Sequence, residues 1–351
     1  QAEQRLTDLM WQPVESARAV QRIVAEVGPD QIIVDHLAYS ARLGLETAGV
    51  EYADVVLGHP TALPVAGEVY GYPPVWPSAF APTGPDLDRL RELCERVSYN
   101  FTREWNAAAA VLAPDAPPLD DAFAGHGPVV LYNYPRALAD PDRDALLPAR
   151  EYLGAALREE GADPLVDDWI ASAEPFVYVS FGSFLSVRDD VLAVVAQAIR
   201  DAGMTAAIAT GSTPPEALGP LPEGWLVREY LPQVRLLSAA AVAVSHGGNN
   251  SVTEAAAHGV PMIVLPFSTD QFAGGAAIER TGAGDVLDPN SVSADEIGAS
   301  LRRLASQPRP AVLETIAGEE RQLAGPARAF DALAGSAMSA RIASGESDAA
   351  R

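Results

Sequence analysis

One segment constrains the fold of this chain more than any other. An apolar run at 239–244 is followed closely by two adjacent glycines, Gly247 and Gly248, and then by Asn250 and Ser251. We interpret the run as a buried parallel strand, the glycines as a sharp turn, and the two polar residues as the opening of a helix. The first amides of such a helix lack intrahelical partners and carry partial positive charge, so the pattern predicts a site for a diphosphate.

A second predicted strand, at 262–265, leads into the acid–amide pair Asp270 and Gln271. The pair therefore follows a neighbouring strand of the same sheet, at the edge where open α/β sheets bind their ligands. Elsewhere in the chain, predicted strands alternate with predicted helices, which indicates parallel sheets. The sequence thus predicts an α/β protein with a polar site at one sheet edge.

The whole segment resembles the donor-binding half of UDP-dependent glycosyltransferases. From His246 onward the chain reads HGG-x-N-S-x-x-E, followed by G-x-P and then by D-Q, in the order and spacing of that family. The resemblance implies the α/β GT-B fold, in which two Rossmann-like parallel-sheet domains face each other across a cleft. Within the family, the chain is similar to bacterial natural-product glycosyltransferases.

The resemblance also implies which residues bind a nucleotide-sugar donor. Tyr230 stands where plant members have Trp, and the segment from Gln233 to His246 is two residues shorter than theirs, so the choice between a UDP- and a TDP-sugar stays open. Carried over position by position, the expected contacts are His246, Gly247, Gly248, Asn250, Ser251 and Ser183 to the diphosphate, Tyr230, Gln233 and Glu254 to the nucleoside, and Asp270 and Gln271 to the donor sugar.

These residues also have ordinary structural interpretations. A histidine beside two glycines can satisfy a backbone carbonyl, Asn250 and Ser251 are common helix caps, and Asp270 is a common turn residue. Their joint spacing favours the donor site, because independent caps and turns would not be expected to reproduce the whole motif.

The first half of the chain contains a loop, at 59–85, that is too aromatic to be a solvated linker. Because long loops in compact domains are usually functional or disordered, we expect His59, Tyr70, Trp76 and Phe80 to contact a small hydrophobic acceptor. Anchoring of the loop in the core is the alternative for the aromatic residues.

The resemblance further implies a catalytic histidine oriented by an aspartate. Asp35, at the end of a predicted strand at 31–34, resembles the orienting acid, and helix capping is its structural alternative. The base itself is not found in the sequence given, so we expect an N-terminal portion of the first domain to be missing. His36 and His59 are the substitutes that the chain offers.

The amino-acid composition restricts the classes of partner that the protein is expected to bind. The 351 residues carry a net charge of −23, which repels nucleic acid and anionic membranes. A single cysteine, Cys94, excludes an internal disulfide, and no Cys/His spacing indicates zinc. No apolar run reaches the roughly 20 residues of a membrane span. We therefore expect a cytoplasmic protein with no metal and no cofactor, and the absence of lysine, with abundant Ala, Gly and Pro, suggests a high-GC, actinobacterial source.

We predict an acceptor-binding domain at 1–160, a nucleotide-sugar-binding domain at 161–340 and a flexible tail at 341–351. The predicted function is inverting, metal-independent transfer of a hexose to a small apolar acceptor, as in the biosynthesis of antibiotics and other secondary metabolites. The alternatives are a sugar-nucleotide epimerase of the same fold and a non-catalytic, glycosyltransferase-like partner protein. The identity of the acceptor, attachment through O, C or N, and the oligomeric state stay open.

Overall fold

A computed structural model of the chain describes residues 10–65, 67–173, 175–182, 188–322 and 325–344, the last ten by their backbone alone. Within these ranges the strands form two parallel sheets. The first has the order β1-β2-β3-β4 and consists of Ile33–Asp35, Ala53–Val56, Val129–Tyr132 and Arg150–Tyr152. The second has the order β10-β9-β8-β5-β6-β7 and consists, from β5 to β10, of Phe176–Ser180, Thr205–Ala209, Leu226–Arg228, Val242–Ser245, Met262–Val264 and Gly284–Val286.

Helices connect the strands and cover both sheets. Around the first sheet these are α1 (Pro13–Val27), α2 (Tyr39–Ala48), α3 (Gly84–Leu112) and α4 (Pro141–Asp144). The remaining helices are α5 (Pro164–Ser172), α6 (Asp189–Asp201), α7 (Gln233–Leu237), α8 (Asn249–Ala257), α9 (Asp270–Thr281), α10 (Ala294–Ser306), α11 (Ala311–Gln322) and α12 (Gly325–Ser344).

Two local predictions and one alternative interpretation need correction. The stretch from 150 to 170, predicted as helix and linker, begins with strand β4, which the pattern missed because only Tyr152 of its three residues is buried. Helix α8 begins at Asn249 with Gly248 as its cap, so Asn250 and Ser251 open the helix as predicted but are not the caps of the alternative interpretation. Helix α12 continues to Ser344 into the predicted tail, whose residues 345–351 lie outside the described ranges.

An apolar core joins the two sheets. One cluster of buried side chains includes Val56 and Val130 of the first sheet together with Phe176, Tyr178 and Val264 of the second. Because the sheets share this cluster, part of the contact between them is a packed apolar interface. The predicted domain boundary at 160 lies in the connection between β4 and α5, and the extent of each domain stays a prediction.

The last helix packs against the first sheet although it follows the second. Leu333 of α12 packs with Leu131 of β3 and with Leu153, which follows β4. Gln31 donates a hydrogen bond to the carbonyl of Leu333, at 3.4 Å. The chain therefore passes between the sheets twice, once after β4 and once between α11 and α12.

Candidate functional site

A cleft of about 560 Å³ lies between the sheets, lined by residues that follow strands of both. Leu57 and Gly58 come directly after β2, Gly182 follows β5, and His246 follows β8. The carboxyl ends of parallel strands thus meet at the cleft, which is the position where open α/β sheets bind ligands.

The turn after β8 requires both of its glycines. Gly247 has a φ of 82°, a conformation that L side chains rarely adopt, and a Cβ there would lie 2.6 Å from a methyl of Val264. A Cβ on Gly248 would lie 2.5 Å from Nε2 of His246. The backbone therefore passes close to the imidazole and to β9, and the first turn of α8 starts at the cleft wall.

The N-terminus of α8 faces the cleft without a side-chain cap. Its cap residue, Gly248, has no side chain to offer, while Asn250 and Ser251 line the cleft. The amides of this first turn and the partial positive charge of the helix end are what a phosphate group requires. Ser183, predicted to contact the same group, lies outside the described residues.

Asn249, which the sequence did not single out, joins the two sheets. Its side-chain amide donates to the carbonyl of Leu57 at 2.8 Å and to that of Asn133 at 2.9 Å. Both carbonyls belong to residues that directly follow strands of the first sheet. The position is a variable one within the motif, so only the tertiary structure reveals this contact.

His246 is neutral at pH 7. Burial lowers its pKa to about 4, against the opposing effect of the Asp270 carboxylate. Its Nδ1 is buried and has no hydrogen-bond partner among the described residues. His246 lines the cleft, and its neutral imidazole can still exchange one hydrogen bond with a ligand through the other ring nitrogen.

Two of the three predicted nucleoside contacts, Tyr230 and Gln233, line the cleft, whereas the third, Glu254, is buried and does not line it. Gln233 donates to a carboxylate oxygen of Glu254 at 2.6 Å, and its own carbonyl accepts from the hydroxyl of Tyr178 at 3.2 Å. Burial raises the pKa of Glu254, against the opposing hydrogen bond from Gln233. Beside this buried chain, the ring of Tyr230 lines the cleft with 69% of its surface exposed, so one aromatic face is open for stacking.

The two residues of the acid–amide pair lie in different environments. Asp270 lines the cleft, and its carboxylate accepts from the backbone N–H of His59 at 3.5 Å. Gln271 is buried and does not line the cleft; its side-chain oxygen accepts from the amides of Phe267 and Ser268 at 2.8 and 3.1 Å. Contact of Gln271 with a sugar therefore stays a prediction, while its oxygen supports the loop that presents Asp270.

A second, mostly apolar cavity of about 480 Å³ adjoins the cleft. Tyr70 and Trp76 line it, as predicted for an acceptor pocket, and Gly58 and Asp270 line both this cavity and the cleft. Phe80 lies against Phe272, with ring centroids 5.1 Å apart, and is not among the lining residues.

His59 lines a third cavity instead, of about 460 Å³, next to Trp76. Its Nδ1 lies 2.9 Å from the hydroxyl of Thr61. Burial lowers the pKa of His59 to about 3, and the charges of Arg143 and Arg280 act in the same direction. The imidazole is therefore held as a neutral, hydrogen-bonded group of the loop.

Asp35 lies at the carboxyl end of β1, where its carboxylate accepts from the amide of Leu37 at 3.0 Å. It does not line the cleft. The neighbouring His36 is fully buried, with its Nδ1 3.4 Å from the carboxylate of Asp54. Burial lowers the pKa of His36 despite that carboxylate. The orienting role of Asp35 stays a prediction.

Neither a metal centre nor a membrane span is found among the residues described. Within that part of the chain, no three His, Cys, Asp or Glu side chains are grouped so that they could hold a metal ion. Likewise, no described helix is long and apolar enough to cross a membrane.

The two facing parallel sheets define the GT-B class of fold. The glycotransferase of kitacinnamycin, a solved structure, superimposes on 95% of this chain and 81% of its own, with a TM-score of 0.69 and 23% identity. The profile of the family described as UDP-glucoronosyl and UDP-glucosyl transferase matches residues 101–310, more than half of the chain, and the chain belongs to that family.

Two curated relatives show how much of such a protein the chain covers. Demethyllactenocin mycarosyltransferase of Streptomyces fradiae is 32% identical over 163 residues, which are 46% of this chain and 35% of that protein. A PGL/p-HBAD biosynthesis glycosyltransferase of Mycobacterium tuberculosis (strain ATCC 25177 / H37Ra) is 27% identical over 297 residues, 82% of this chain and 66% of that protein. The matches thus span less than two thirds of either relative.

Proposed function

We propose that this protein is an inverting, metal-independent glycosyltransferase that moves a hexose from a UDP- or TDP-sugar to a small apolar natural product. The observation that carries the proposal is the junction of two cavities of different character. The polar cleft suits a nucleotide sugar, the apolar cavity suits an acceptor, and they meet at Gly58 and Asp270.

The donor would lie along the edge of the second sheet. Tyr230 would stack on the base, and the hydrogen-bonded pair of Gln233 and Glu254 would accept from the ribose hydroxyls. The first turn of α8, with Ser251 and neutral His246, would hold the diphosphate and stabilise the charge that it gains as it leaves. These helix amides and side chains supply stabilisation that other enzymes obtain from a metal ion.

The acceptor would reach the sugar from the apolar cavity. Asp270 would hold hydroxyls of the hexose at the junction, where an acceptor between Tyr70 and Trp76 approaches the anomeric carbon opposite the leaving diphosphate. Holding both reactants in line removes much of the entropic barrier. The acceptor hydroxyl must also lose its proton. In this proposal a histidine that is oriented by Asp35 accepts that proton.

A thermal-shift titration with UDP, TDP, GDP and their glucose conjugates tests the donor site. A ligand at a hundredfold excess over its Kd adds roughly 2.7 kcal/mol to the free energy of unfolding. We expect UDP or TDP to produce this shift, and Ser251→Ala and Glu254→Gln to reduce it. Ser306→Ala is the matched control, because its hydroxyl is exposed at the end of α10. No shift with any nucleotide would favour the partner-protein alternative.

An acceptor screen separates the transferase from the epimerase. Release of UDP or TDP from the sugar conjugate should depend on an added apolar acceptor, and Trp76→Ala should reduce that dependence. Conversion of the donor sugar in the absence of any acceptor would support the epimerase instead.

A further inference from the structure

The cleft contains little positive charge for a ligand that carries a diphosphate. Among its described lining residues, Arg158 is the one Arg or Lys, whereas Glu229 and Asp270 are acidic. His246 does not compensate, since its pKa of about 4 leaves it neutral at pH 7. The chain as a whole carries a net charge of −23, so long-range electrostatics also oppose an anionic ligand.

Arg158 lies in the connection between the two sheets, beside the predicted nucleoside contacts. Its Nη2 is 3.9 Å from a carboxylate oxygen of Glu254, and its Nε is 3.4 Å from Glu160. Glu160 in turn accepts from the amides of Val234 and Arg235, at 3.2 and 3.0 Å. Glu160 thus links Arg158 to the start of α7, and 57% of the Arg158 side chain is exposed.

We propose that Arg158 is a ligand of the donor diphosphate, an inference that rests on the proposed function. The N-terminus of α8 contributes only about half an elementary charge, which does not balance a diphosphate next to two carboxylates. A guanidinium supplies a full charge and pairs with two phosphate oxygens at once. Its proximity to Glu254 places it next to the ribose, from which the diphosphate extends toward Ser251.

The test compares UDP with uridine, which lacks the phosphates, by isothermal titration calorimetry on the intact chain. Arg158→Gln should weaken UDP binding by about tenfold or more, the usual worth of a charge-assisted hydrogen bond, and leave uridine binding within about twofold. Arg158→Lys should recover part of the loss, because it keeps the charge without the planar fork.

Arg303→Gln is the matched control, because Arg303 of α10 pairs with Asp285 of β10 and lines none of the cavities described above. It changes the net charge equally, and UDP binding should stay the same. Equal losses for UDP and uridine would overturn the inference in favour of a nucleoside contact. Unchanged UDP binding would overturn it while leaving the proposed function standing, whereas a wild-type chain that binds neither UDP nor TDP would overturn both.

Discussion

Individual histidines are kept uncharged by burial around the cleft. The pKa of His246 is lowered to about 4 and that of His59 to about 3, in both cases chiefly because the imidazole is removed from water. His246 therefore adds no positive charge to the cleft at neutral pH, and His59 adds none to the neighbouring cavity that it lines. Their contribution there consists of hydrogen bonds and packing, and folding stability must fall as these groups are forced to bind protons.

His59→Gln tests this consequence through the pH dependence of stability. A histidine whose pKa is depressed by folding binds more protons in the unfolded chain, so the free energy of unfolding falls as pH drops from about 6.5 toward the folded pKa, by up to roughly 1.4 kcal/mol per pH unit. The variant lacks this contribution. Denaturant unfolding at pH 6.5, 5.5 and 4.5 should show the wild type losing its advantage over the variant with decreasing pH. A constant difference would contradict the assignment.

The sequence alone predicted which residues of the ordered motif lie at the cleft. His246, Asn250 and Ser251 line the cleft, because their spacing predicts a strand–turn–helix unit and they lie where its turn meets its helix. The sequence did not single out Asn249, nor Arg158, for which a diphosphate contact is proposed above, since neither belongs to a fixed position of the motif. Their roles depend on contacts between segments that are distant in the chain, and only packing of the two sheets brings these segments together.

At the scale of elements, the turn between β8 and α8 depends on close backbone packing. Gly247→Ala would strain a residue with a φ of 82° and place a methyl 2.6 Å from Val264. We expect it to lower the free energy of unfolding by about 2 kcal/mol or more and to weaken nucleotide binding.

Gly282→Ala is the matched control for this change. Gly282 ends α9 with a φ of 70°, but nothing lies within 4 Å of the position of a new methyl. Gly282→Ala therefore has the conformational cost without the steric one. Thermal or denaturant unfolding should show a smaller loss in the free energy of unfolding than for Gly247→Ala. Equal destabilisation by the two variants would show that packing against Val264 does not matter.

Long buried elements could be predicted from sequence, and short half-exposed ones could not. Strand β5 is buried along all five residues and has the continuous apolar run of a strand covered on both faces. Strand β4 contains Arg150 and Glu151, and an ion pair between Arg150 and Asp144, at 2.7 Å, accompanies its pairing with β3. The formation of such a strand depends on its pairing with the neighbouring strand rather than on a hydrophobic pattern in its own residues.

At the scale of the whole molecule, the interface between the sheets is both apolar and hydrogen-bonded. The shared cluster around Val56 and Phe176 is supplemented by the two hydrogen bonds of Asn249. Domains within a chain are expected to move relative to one another unless their interface is large and hydrophobic. This one should couple the two sheets in folding as well as in position.

Unfolding should therefore proceed in one transition. We expect hydrogen exchange measured by mass spectrometry during a denaturant titration to show β3 and β8 losing protection at the same midpoint. Asn249→Ala, which leaves the carbonyls of Leu57 and Asn133 without this partner, should lower both midpoints together, at a cost of about 1–3 kcal/mol. Separate midpoints for the two strands would contradict the coupling.

The return of α12 to the first sheet limits how the cleft can change shape. The two passages of the chain lie side by side: the amide of Ala155 donates to Glu320 at 3.3 Å, and a Cβ on Gly325 would lie 2.9 Å from the carbonyl of Leu153. A single passage would let one half rotate about its own axis, but a paired connection resists torsion and permits bending. Any widening of the cleft must therefore be a rotation about 153–155 and the adjoining Glu320 and Gly325, with the largest displacement at the rim farthest from these residues.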